Sequence, residues 1–250
     1  MGASSEKRRP SLFWPLAAIV VPLVSAIARI RITGRDKLPS EGAYVLAPNH
    51  YSEFDPLIVA VAVWRLGRAP RFMAKESLFR VPVLGWVLRS TGMIPVARSS
   101  SAAAAKQTMA QSEELVEHGR GVIVYPEGTL TRDPDLWPMR GKSGAVRLAL
   151  ADDIPLIPMA HWGTQAIMGR YQKGLSLWPL RKPVRVAVGD PVDLSDLRGR
   201  AHEPAALNEA SMRLMNAITA LLEELRGEKA PAERWNPTSH GQKETGRLDS

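Results

Sequence analysis

The chain has 250 residues, no cysteine and a formal net charge of +8 at pH 7. This length is enough for one substantial domain with a buried core, and the lack of cysteine excludes disulfides, thiolate metal sites and a cysteine nucleophile, which fits a reducing compartment. The charge predicts a polyanionic partner, either nucleic acid or an acidic membrane surface, without choosing between them.

Residues 1–30 are predicted to form a basic and apolar membrane anchor. An uncharged run covers residues 11–28, and basic residues flank it on both sides: Lys7, Arg8, Arg9, Arg29, Arg31 and Arg35. As a helix this run would be roughly 27 Å long, close to the hydrocarbon thickness of a bilayer. A cleaved signal peptide and a single transmembrane span are the alternatives. The basic flanks, together with Pro15 and Pro22, favour a monotopic helix in one leaflet, on the cytoplasmic face of the cell membrane.

Beyond this segment, strand-like apolar runs alternate with helix-like segments. The predicted strands cover residues 30–33, 44–47, 71–74, 93–96, 121–125, 156–160 and 184–188. The predicted helices cover residues 56–65, 83–89, 101–118, 144–150 and 203–226. This alternation predicts a single α/β domain over residues 31–226, with a largely parallel central sheet flanked by helices and ligands at the strand ends. Residues 227–250 are polar and include Pro231 and Pro237, which predicts a flexible tail.

The turn after the second predicted strand holds a histidine and a carboxylate. Pro56 suits the start of a helix, with Asp55 as its N-cap, so His50 lies on a strand-to-helix turn that faces a cleft. A carboxylate five residues later can contact one nitrogen of the imidazole and leave the other free to take a proton from a hydroxyl. The alternative is that Asp55 only caps the helix and His50 is an ordinary loop histidine.

Three more segments accompany this turn. The sequences NHYSEFD (residues 49–55), GMIPVAR (92–98), YPEGTLTR (125–132) and IPLIPMA (154–160) follow one another along the chain. In this order and spacing they resemble the four blocks of the glycerolipid acyltransferase family, which includes the PlsC-like 1-acylglycerol-3-phosphate acyltransferases. The resemblance extends from about residue 34 to residue 189.

The resemblance implies a membrane-associated O-acyltransferase. Such an enzyme moves a fatty acyl group from acyl-CoA or an acyl carrier protein to the free sn-2 hydroxyl of lysophosphatidic acid, and the product is phosphatidic acid. His50 would act as the general base, Asp55 would orient it, and no cofactor is expected. The acceptor hydroxyl would attack the thioester directly, without a covalent acyl-enzyme.

The resemblance also implies substrate-binding residues. Arg98 closes the second block and corresponds to the family's phosphate-contacting arginine. The third block contributes Glu127, Gly128 and Thr129, and the alternative role for Glu127 is a structural pair with a buried arginine.

One position departs from the family pattern. Leu130 stands where the family commonly has arginine, which favours an altered acceptor. Arg132, two residues on, and Lys75 are further candidate phosphate contacts. The alternative for each of these two cations is a solvated surface charge.

Other functional classes have less support. Gly141-Lys142-Ser143 lacks the glycine that a P-loop needs five positions earlier, where Leu136 stands. The spacing of His50 and Glu53 is seen in metal sites, but no second histidine cluster accompanies them, so no metal is expected. The alternatives are an acyltransferase for another lysophospholipid or a glycolipid, and a non-catalytic basic protein that binds lipid or nucleic acid. No nucleic-acid fold signature is present, so the expected partners are the acyl donor, the acceptor and an anionic membrane surface.

Two groups of large apolar residues have alternative uses. Trp137, Trp162 and Trp178 are predicted in loops near basic residues, which suits the headgroup level of a membrane, and core or lid positions are the alternative. Residues 79–88 are mostly apolar. Core packing is predicted for most of them, and the wall of an acyl-chain tunnel is the alternative.

Overall fold

The computed structural model describes residues 4, 7, 11–96, 110, 111 and 113–243 of the chain. Its helices are α1 (Phe13–Ile27), α2 (Asp55–Arg65), α3 (Pro82–Ser90), α4 (Gly144–Ala151) and α5 (Pro204–Arg226). Its strands are β1 (Ala28–Thr33), β2 (Tyr44–Pro48), β3 (Met73–Lys75), β4 (Ile94–Val96), β5 (Gly121–Ile123), β6 (Leu156–Trp162) and β7 (Lys182–Val188). Of the predicted helix over residues 101–118, only the last part is described, and residues 113–117 there are helical.

A five-stranded sheet in the order β1-β7-β6-β2-β5 forms the centre of the molecule. Its neighbours are parallel except for β6 and β7, which run antiparallel. The short parallel pair β3-β4 continues beyond β5 through a bridge between Phe72 and Ile123. The prediction of a single α/β domain with a largely parallel sheet flanked by helices is confirmed, and the ends of the predicted strands differ from the observed ends by at most two residues.

Helices cover both faces of the five-stranded sheet. On one face, α1 and α2 form an apolar cluster with β1, β7 and Leu46 of β2. On the other face, α4 and α5 form a second cluster with β5 and Val45 of β2. Adjacent residues of β2 belong to different clusters because successive side chains of a strand point to opposite faces. All five residues of β2 are buried, as expected for a central parallel strand.

α1 leaves much of its apolar surface uncovered. Its buried residues are Phe13 and Val24. Three of its large apolar side chains are exposed: Trp14, Ile19 and Leu23. Among the helices in the described part of the chain, none is both long and apolar enough to cross a membrane. β1 follows α1 directly, so the predicted boundary at residue 30 falls inside the first strand.

α3 lies outside the main layers. It packs mainly against the preceding 3-10 turn, Glu76–Arg80. Only Gly85 of this helix is buried, whereas Val83, Leu84 and Trp86 are exposed. Core packing is therefore wrong for these three side chains, because the helix does not cover the central sheet.

The segment after α5 returns to the domain. Gly227 ends α5 in the left-handed conformation, with φ of 74°. The amide of Ala230 donates to Glu223 Oε1 at 3.0 Å, and the amide of Arg140 donates to the carbonyl of Trp235 at 3.1 Å. The polar composition predicted a flexible tail from residue 227, yet these bonds attach its first part to the folded domain.

Gly34 follows the edge strand β1 and lies against the end of its neighbour β7, so it offers a test of the contact between these two strands. Its φ is 64°, and a Cβ there would overlap the carbonyl oxygen of Val188 at the end of β7. We expect Gly34→Ala to lower the free energy of unfolding by about 2 kcal/mol or more. The loss has two causes, because alanine is strained in the left-handed backbone conformation and its Cβ would overlap the Val188 carbonyl oxygen. Chemical denaturation measures this loss.

Gly42→Ala is the matched control, because Gly42 has φ of 80° and no neighbouring atom lies within 4 Å of the position that a Cβ would take. The Gly42→Ala variant has only the strain of the left-handed backbone, so its free energy of unfolding should fall by about 1 kcal/mol. Equal losses in the two variants would show that the contact with Val188 is unimportant.

Candidate active site

The candidate site lies at one edge of the sheet, where three parallel neighbours end. β2, β5 and β6 run in the same direction, with Leu46 paired to Ile123 on one side and to Ile157 on the other. The turn after β2 carries residues 49–54, and the turn after β5 carries residues 124–131. Because parallel strands end at the same edge, these two turns and the end of β6 meet there.

His50 and Asp55 are in direct contact. His50 Nδ1 lies 3.0 Å from Asp55 Oδ2, as the sequence predicted for this pair. The Asp55 side chain has no exposed surface, and the His50 side chain is 16% exposed. The same carboxylate oxygen accepts the amides of Tyr51 and Ser52 at 2.7 and 2.8 Å.

The prediction of Asp55 as a helix N-cap is wrong. Asp55 is the first residue of α2, Phe54 precedes the helix, and no side chain caps this end. The carboxylate points back into the turn because three donors converge on it there. Asp55 therefore holds the shape of the turn as well as the imidazole.

This contact fixes the tautomer of His50. An acceptor at Nδ1 requires the proton on that nitrogen, so Nε2 carries the lone pair. Nε2 has no hydrogen-bond partner among the described residues. The imidazole also stacks on the ring of Tyr125, with centroids 4.0 Å apart. Burial, with a further contribution from Asp55, raises the pKa of the Tyr125 phenol, so this neighbour stays neutral.

Glu127 fixes the backbone of the same turn. Its Oε1 accepts the amide of His50 at 3.0 Å, and its Oε2 accepts the amide of Met139 at 3.0 Å. The amide of Thr131 donates to the carbonyl of His50 at 2.7 Å. Both oxygens of this fully buried carboxyl are thus used inside the protein. The geometry supports the positioning of His50, not the direct substrate contact predicted from the sequence.

Burial raises the pKa of Glu127 to about 8. Its hydrogen bonds with the amides of Met139 and His50 and with the Thr131 side chain act in the opposite direction, and burial is the larger effect. The protonated carboxyl is therefore the form that the folded protein prefers near neutral pH.

The rest of the third block is divided between surface and interior. Gly128 is exposed in the left-handed conformation, with φ of 68°, and its amide donates to the carbonyl of Tyr125 at 3.0 Å. Thr129 is half-buried beside it. Leu130 and Arg132 are buried. A solvated surface charge is therefore wrong for Arg132.

The two remaining predicted cations are Arg98 and Lys75. Arg98 lies outside the described residues. Lys75 ends β3, beside the β4 residue Val96. Their roles stay predictions.

The structure adds residues that the sequence argument did not single out. Asn49 Oδ1 accepts the amide of His161 at 2.9 Å, and Asn49 Nδ2 donates to the carbonyl of His161 at 3.2 Å. His161 Nε2 lies 2.9 Å from the carbonyl of Asn49, so this nitrogen carries the proton. Its Nδ1 then accepts from the Tyr51 hydroxyl, 3.2 Å away. Burial lowers the pKa of His161, which keeps it neutral. The parallel pairing of β2 with β6 places residue 161 beside the turn, and the sequence did not give this pairing.

The segment after β6 holds both turns together. Ser52 Oγ donates to the carbonyl of Met168 at 2.6 Å. Arg170 Nη1 donates to the carbonyls of Thr131 and Asp133, each at 2.7 Å. The turn after β2 and the turn after β5 therefore share a common support.

Other cavities and clusters lie away from this edge. A cavity of about 350 Å³ is lined by Asp133, Trp137, residues of α5 and residues 230–235. It does not include His50 or Asp55. Within the described part of the chain, no group of three or more His, Cys, Asp or Glu side chains is placed to hold a metal ion.

The buried carboxyl of Glu127 predicts a pH-dependent stability. Its folded pKa of about 8 exceeds the ordinary value of 4.5, so its stabilising contribution is complete below pH 4.5 and is lost as pH rises through about 8. We expect the thermal midpoint to fall between about pH 5 and about pH 9 by more in the native protein than in Glu127→Gln, which has no carboxyl to ionise.

Glu127→Gln is also expected to cost about 1–3 kcal/mol at low pH, because its NH₂ group faces a backbone N–H. Glu117→Gln, at an exposed position, is the control. Parallel pH profiles for native protein and Glu127→Gln would contradict the shifted pKa.

Known proteins are similar to this chain over the segments that form the site. The Acyltransferase family model matches residues 29–162. The chain is 31% identical over 145 residues to the chloroplastic 1-acyl-sn-glycerol-3-phosphate acyltransferase BAT2 of Brassica napus. This match covers 58% of this chain and 40% of that protein. It is 29% identical to the 1-acyl-sn-glycerol-3-phosphate acyltransferase of Borreliella burgdorferi, over 68% of this chain and 67% of that one. The identity to the Bacillus subtilis protein of the same name is 26%, over 81% of this chain and 94% of that one.

A solved structure has the same fold. The crystal structure of PlsC from Thermotoga maritima, a 1-acyl-sn-glycerophosphate acyltransferase, superposes with a TM-score of 0.61 at 19% identity and covers 88% of this chain and 82% of its own. The present chain spans 40% of the length of the chloroplast relatives from Brassica napus and Arabidopsis thaliana. The family match includes the turn of His50 and Asp55 and the turn of Glu127, and the chain belongs to the acyltransferase family.

Proposed function

We propose that this protein transfers a fatty acyl group from a thioester donor to the free sn-2 hydroxyl of 1-acylglycerol-3-phosphate, with phosphatidic acid as the product. The observation that carries the proposal is the contact between His50 and the buried Asp55 at the strand ends, with Nε2 left as the acceptor. The relatives named as 1-acyl-sn-glycerol-3-phosphate acyltransferases support the acceptor class.

The reaction follows from the tautomer of His50. The acceptor hydroxyl gives its proton to Nε2 while its oxygen attacks the thioester carbon, and Asp55 stabilises the imidazolium that forms. The tetrahedral intermediate then breaks its carbon–sulfur bond. The departing thiolate takes the proton from Nε2, so the histidine returns to its starting state and no acyl-enzyme forms.

The hydrogen-bond donors to the developing oxyanion are expected among the backbone amides of the turn after β5. The amide of Gly128 is used within the turn, whereas the amide of Thr129 has no acceptor in the described part of the chain. It is therefore the amide assigned to the oxyanion. The phosphate of the acceptor is assigned to Arg98, with Arg132 and Lys75 as further cations.

The donor carrier is either acyl-CoA or an acyl carrier protein. The chain is proposed to act at the cytoplasmic face of the cell membrane, held by the basic N-terminal segment and the exposed apolar side of α1. A lysophospholipid acceptor resides in that membrane.

Leu130 favours a second candidate acceptor. Its apolar side chain is buried where the family commonly has arginine, so this position supplies no charge to a phosphate. Acylation of another lysophospholipid or of a glycolipid fits this substitution. Product analysis by mass spectrometry, across a panel of lyso-acceptors and acyl thioesters, decides between them.

A non-catalytic basic protein that binds lipid or nucleic acid is the remaining alternative. It accounts for the net charge of +8, but it gives no reason for a buried carboxylate that orients an imidazole. Salt-dependent titration with RNA or DNA, set against thioester release with lysophosphatidic acid, separates this alternative from the enzyme.

His50→Ala tests the general base. We expect turnover to fall by at least ~100-fold, because no other group in the described site can take the hydroxyl proton. Thioester release with lysophosphatidic acid measures the rate, and circular dichroism verifies the fold. His202→Ala, at an exposed histidine, is the matched control and is expected to keep full activity. Near-normal activity in folded His50→Ala protein would refute the mechanism.

Arg98→Ala tests the phosphate contact. The KM for the acceptor is expected to rise about tenfold or more, because a charge-assisted bond to the phosphate is lost. The KM for the acyl donor should stay unchanged. Arg80→Ala, at an exposed arginine, serves as the control. A change confined to the donor would assign Arg98 to the other substrate.

A further inference from the structure

A loop between β6 and β7 exposes a group of large apolar side chains. Residues 172–181, here called the 178 loop, are all exposed. Four large apolar side chains lie on it: Leu175, Leu177, Trp178 and Leu180. Trp178 is 82% exposed, more than any other large apolar side chain among the described residues. A single exposed leucine is ordinary, but a tryptophan with three leucines in one loop indicates a contact surface.

The other predicted membrane tryptophans have interior roles. The guanidinium of Arg226 lies 3.8 Å from the ring centre of Trp137 and 4.3 Å from that of Trp162. Trp137 is buried, and Trp162 also packs near Tyr51. The headgroup-level prediction is therefore wrong for the buried Trp137, whereas the half-buried Trp162 has its ring engaged by Arg226. Trp178 has no such partner in the described part of the chain.

The 178 loop ends beside α1. The amide of Arg181 donates to the carbonyl of Ala26 at 3.2 Å, and Lys182 pairs with Ala28 at the start of β1. The C-terminal end of α1, about one turn beyond the exposed Leu23, therefore has the 178 loop as its neighbour. Lys182 Nζ fixes the base of this loop through the carbonyl of Ala166 and the hydroxyl of Ser176, each at 2.6 Å.

The other end of the loop touches the candidate active site. The amide of Tyr171 donates to Glu53 Oε2 at 3.3 Å, within the turn between His50 and Asp55. Ser52 of the same turn is bonded to Met168. The loop thus connects the turn that holds the imidazole to the end of α1.

The charge of these segments specifies the partner. Residues 169–185 include no Asp or Glu and have five basic residues: Arg170, Lys173, Arg181, Lys182 and Arg185. Residues 7–35 also lack acidic residues. Exposed tryptophan and leucine beside lysine and arginine match the interface of an anionic bilayer, where apolar side chains enter the acyl region and cations remain at the headgroups.

We propose that the 178 loop is a second membrane-contact element, which inserts Trp178 and its leucine neighbours into an anionic bilayer beside α1. This contact holds the turn of His50 at the bilayer surface, where a lysophospholipid presents its hydroxyl. The second part rests on the proposed function, whereas the insertion itself does not.

The absence of cysteine permits a direct test of insertion. A Trp178→Cys variant carries one thiol, which is labelled with a polarity-sensitive NBD fluorophore. With vesicles of phosphatidylglycerol and phosphatidylcholine, we expect the emission to rise at least about twofold and to be quenched by nitroxide-labelled lipid, as for a group that leaves water. Met212→Cys, on α5, is the matched control and is expected to show neither effect.

Three outcomes would overturn insertion. They are an unchanged signal at position 178 in vesicle-bound protein, failure of the full chain to bind these vesicles, and a signal change that depends on protein concentration without vesicles. The last would assign the surface to a second copy of the chain. Equal binding to pure phosphatidylcholine vesicles would reject the anionic surface as the partner.

A second variant connects insertion to the reaction. Replacement of Leu177, Trp178 and Leu180 by serine is expected to weaken vesicle binding about tenfold or more, because exposed apolar groups are lost from the interface. The thermal midpoint should not change, since these side chains are exposed in the free protein. Met212→Ser is the control.

Activity of the triple variant separates the two proposals. We expect slower acylation of long-chain lysophosphatidic acid in vesicles and an unchanged rate with a monomeric short-chain lysophosphatidic acid. Equal loss with both acceptors would place the loop in the site itself and overturn its membrane role. If the native protein acylates neither acceptor, the proposed function fails, and the NBD measurement still decides on insertion.

Discussion

The convergence of three donors on one buried carboxylate oxygen organises this molecule. Asp55 Oδ2 accepts the amides of Tyr51 and Ser52 and contacts His50 Nδ1. A buried carboxylate without partners is costly, so the chain has to follow a path that delivers these donors. The path from β2 into α2 and the orientation of the imidazole are therefore consequences of the same interaction.

Glu127 extends this arrangement to a second strand. Both acidic side chains lie inside the protein, and both bind backbone amides of the turn after β2. They resist rearrangement because a shift would leave buried donors unpaired. In this way the sheet supplies a rigid support for His50, whose Nδ1 is held by Asp55 and whose side chain keeps 16% of its surface exposed. Rigid placement of a reacting group is a large part of what catalysis needs.

The sequence was most informative where contacts are local. His50 and Asp55 are five residues apart, so turn geometry alone predicted their contact, and alternation of apolar runs predicted the sheet. The bond between Glu127 and His50 joins residues 77 positions apart, and that between Asn49 and His161 spans 112. Such pairs depend on which strands are neighbours and in which register, and residue types do not carry that information. The apolar character of a residue also did not predict whether it is buried. Trp86 and Trp178 are exposed and Trp137 is buried, because burial depends on the neighbouring elements.

The antiparallel pairing of β6 and β7 has a consequence for the whole molecule. Since β7 runs opposite to β6, it begins at the edge where β6 ends, and β1, parallel to β7, begins there too. α1 therefore terminates at the same rim as the imidazole. A parallel β7 would have moved that terminus to the far side, roughly 23 Å away for a seven-residue strand. One reversal of chain direction thus places the C-terminal end of the apolar helix at the same rim as the imidazole of His50.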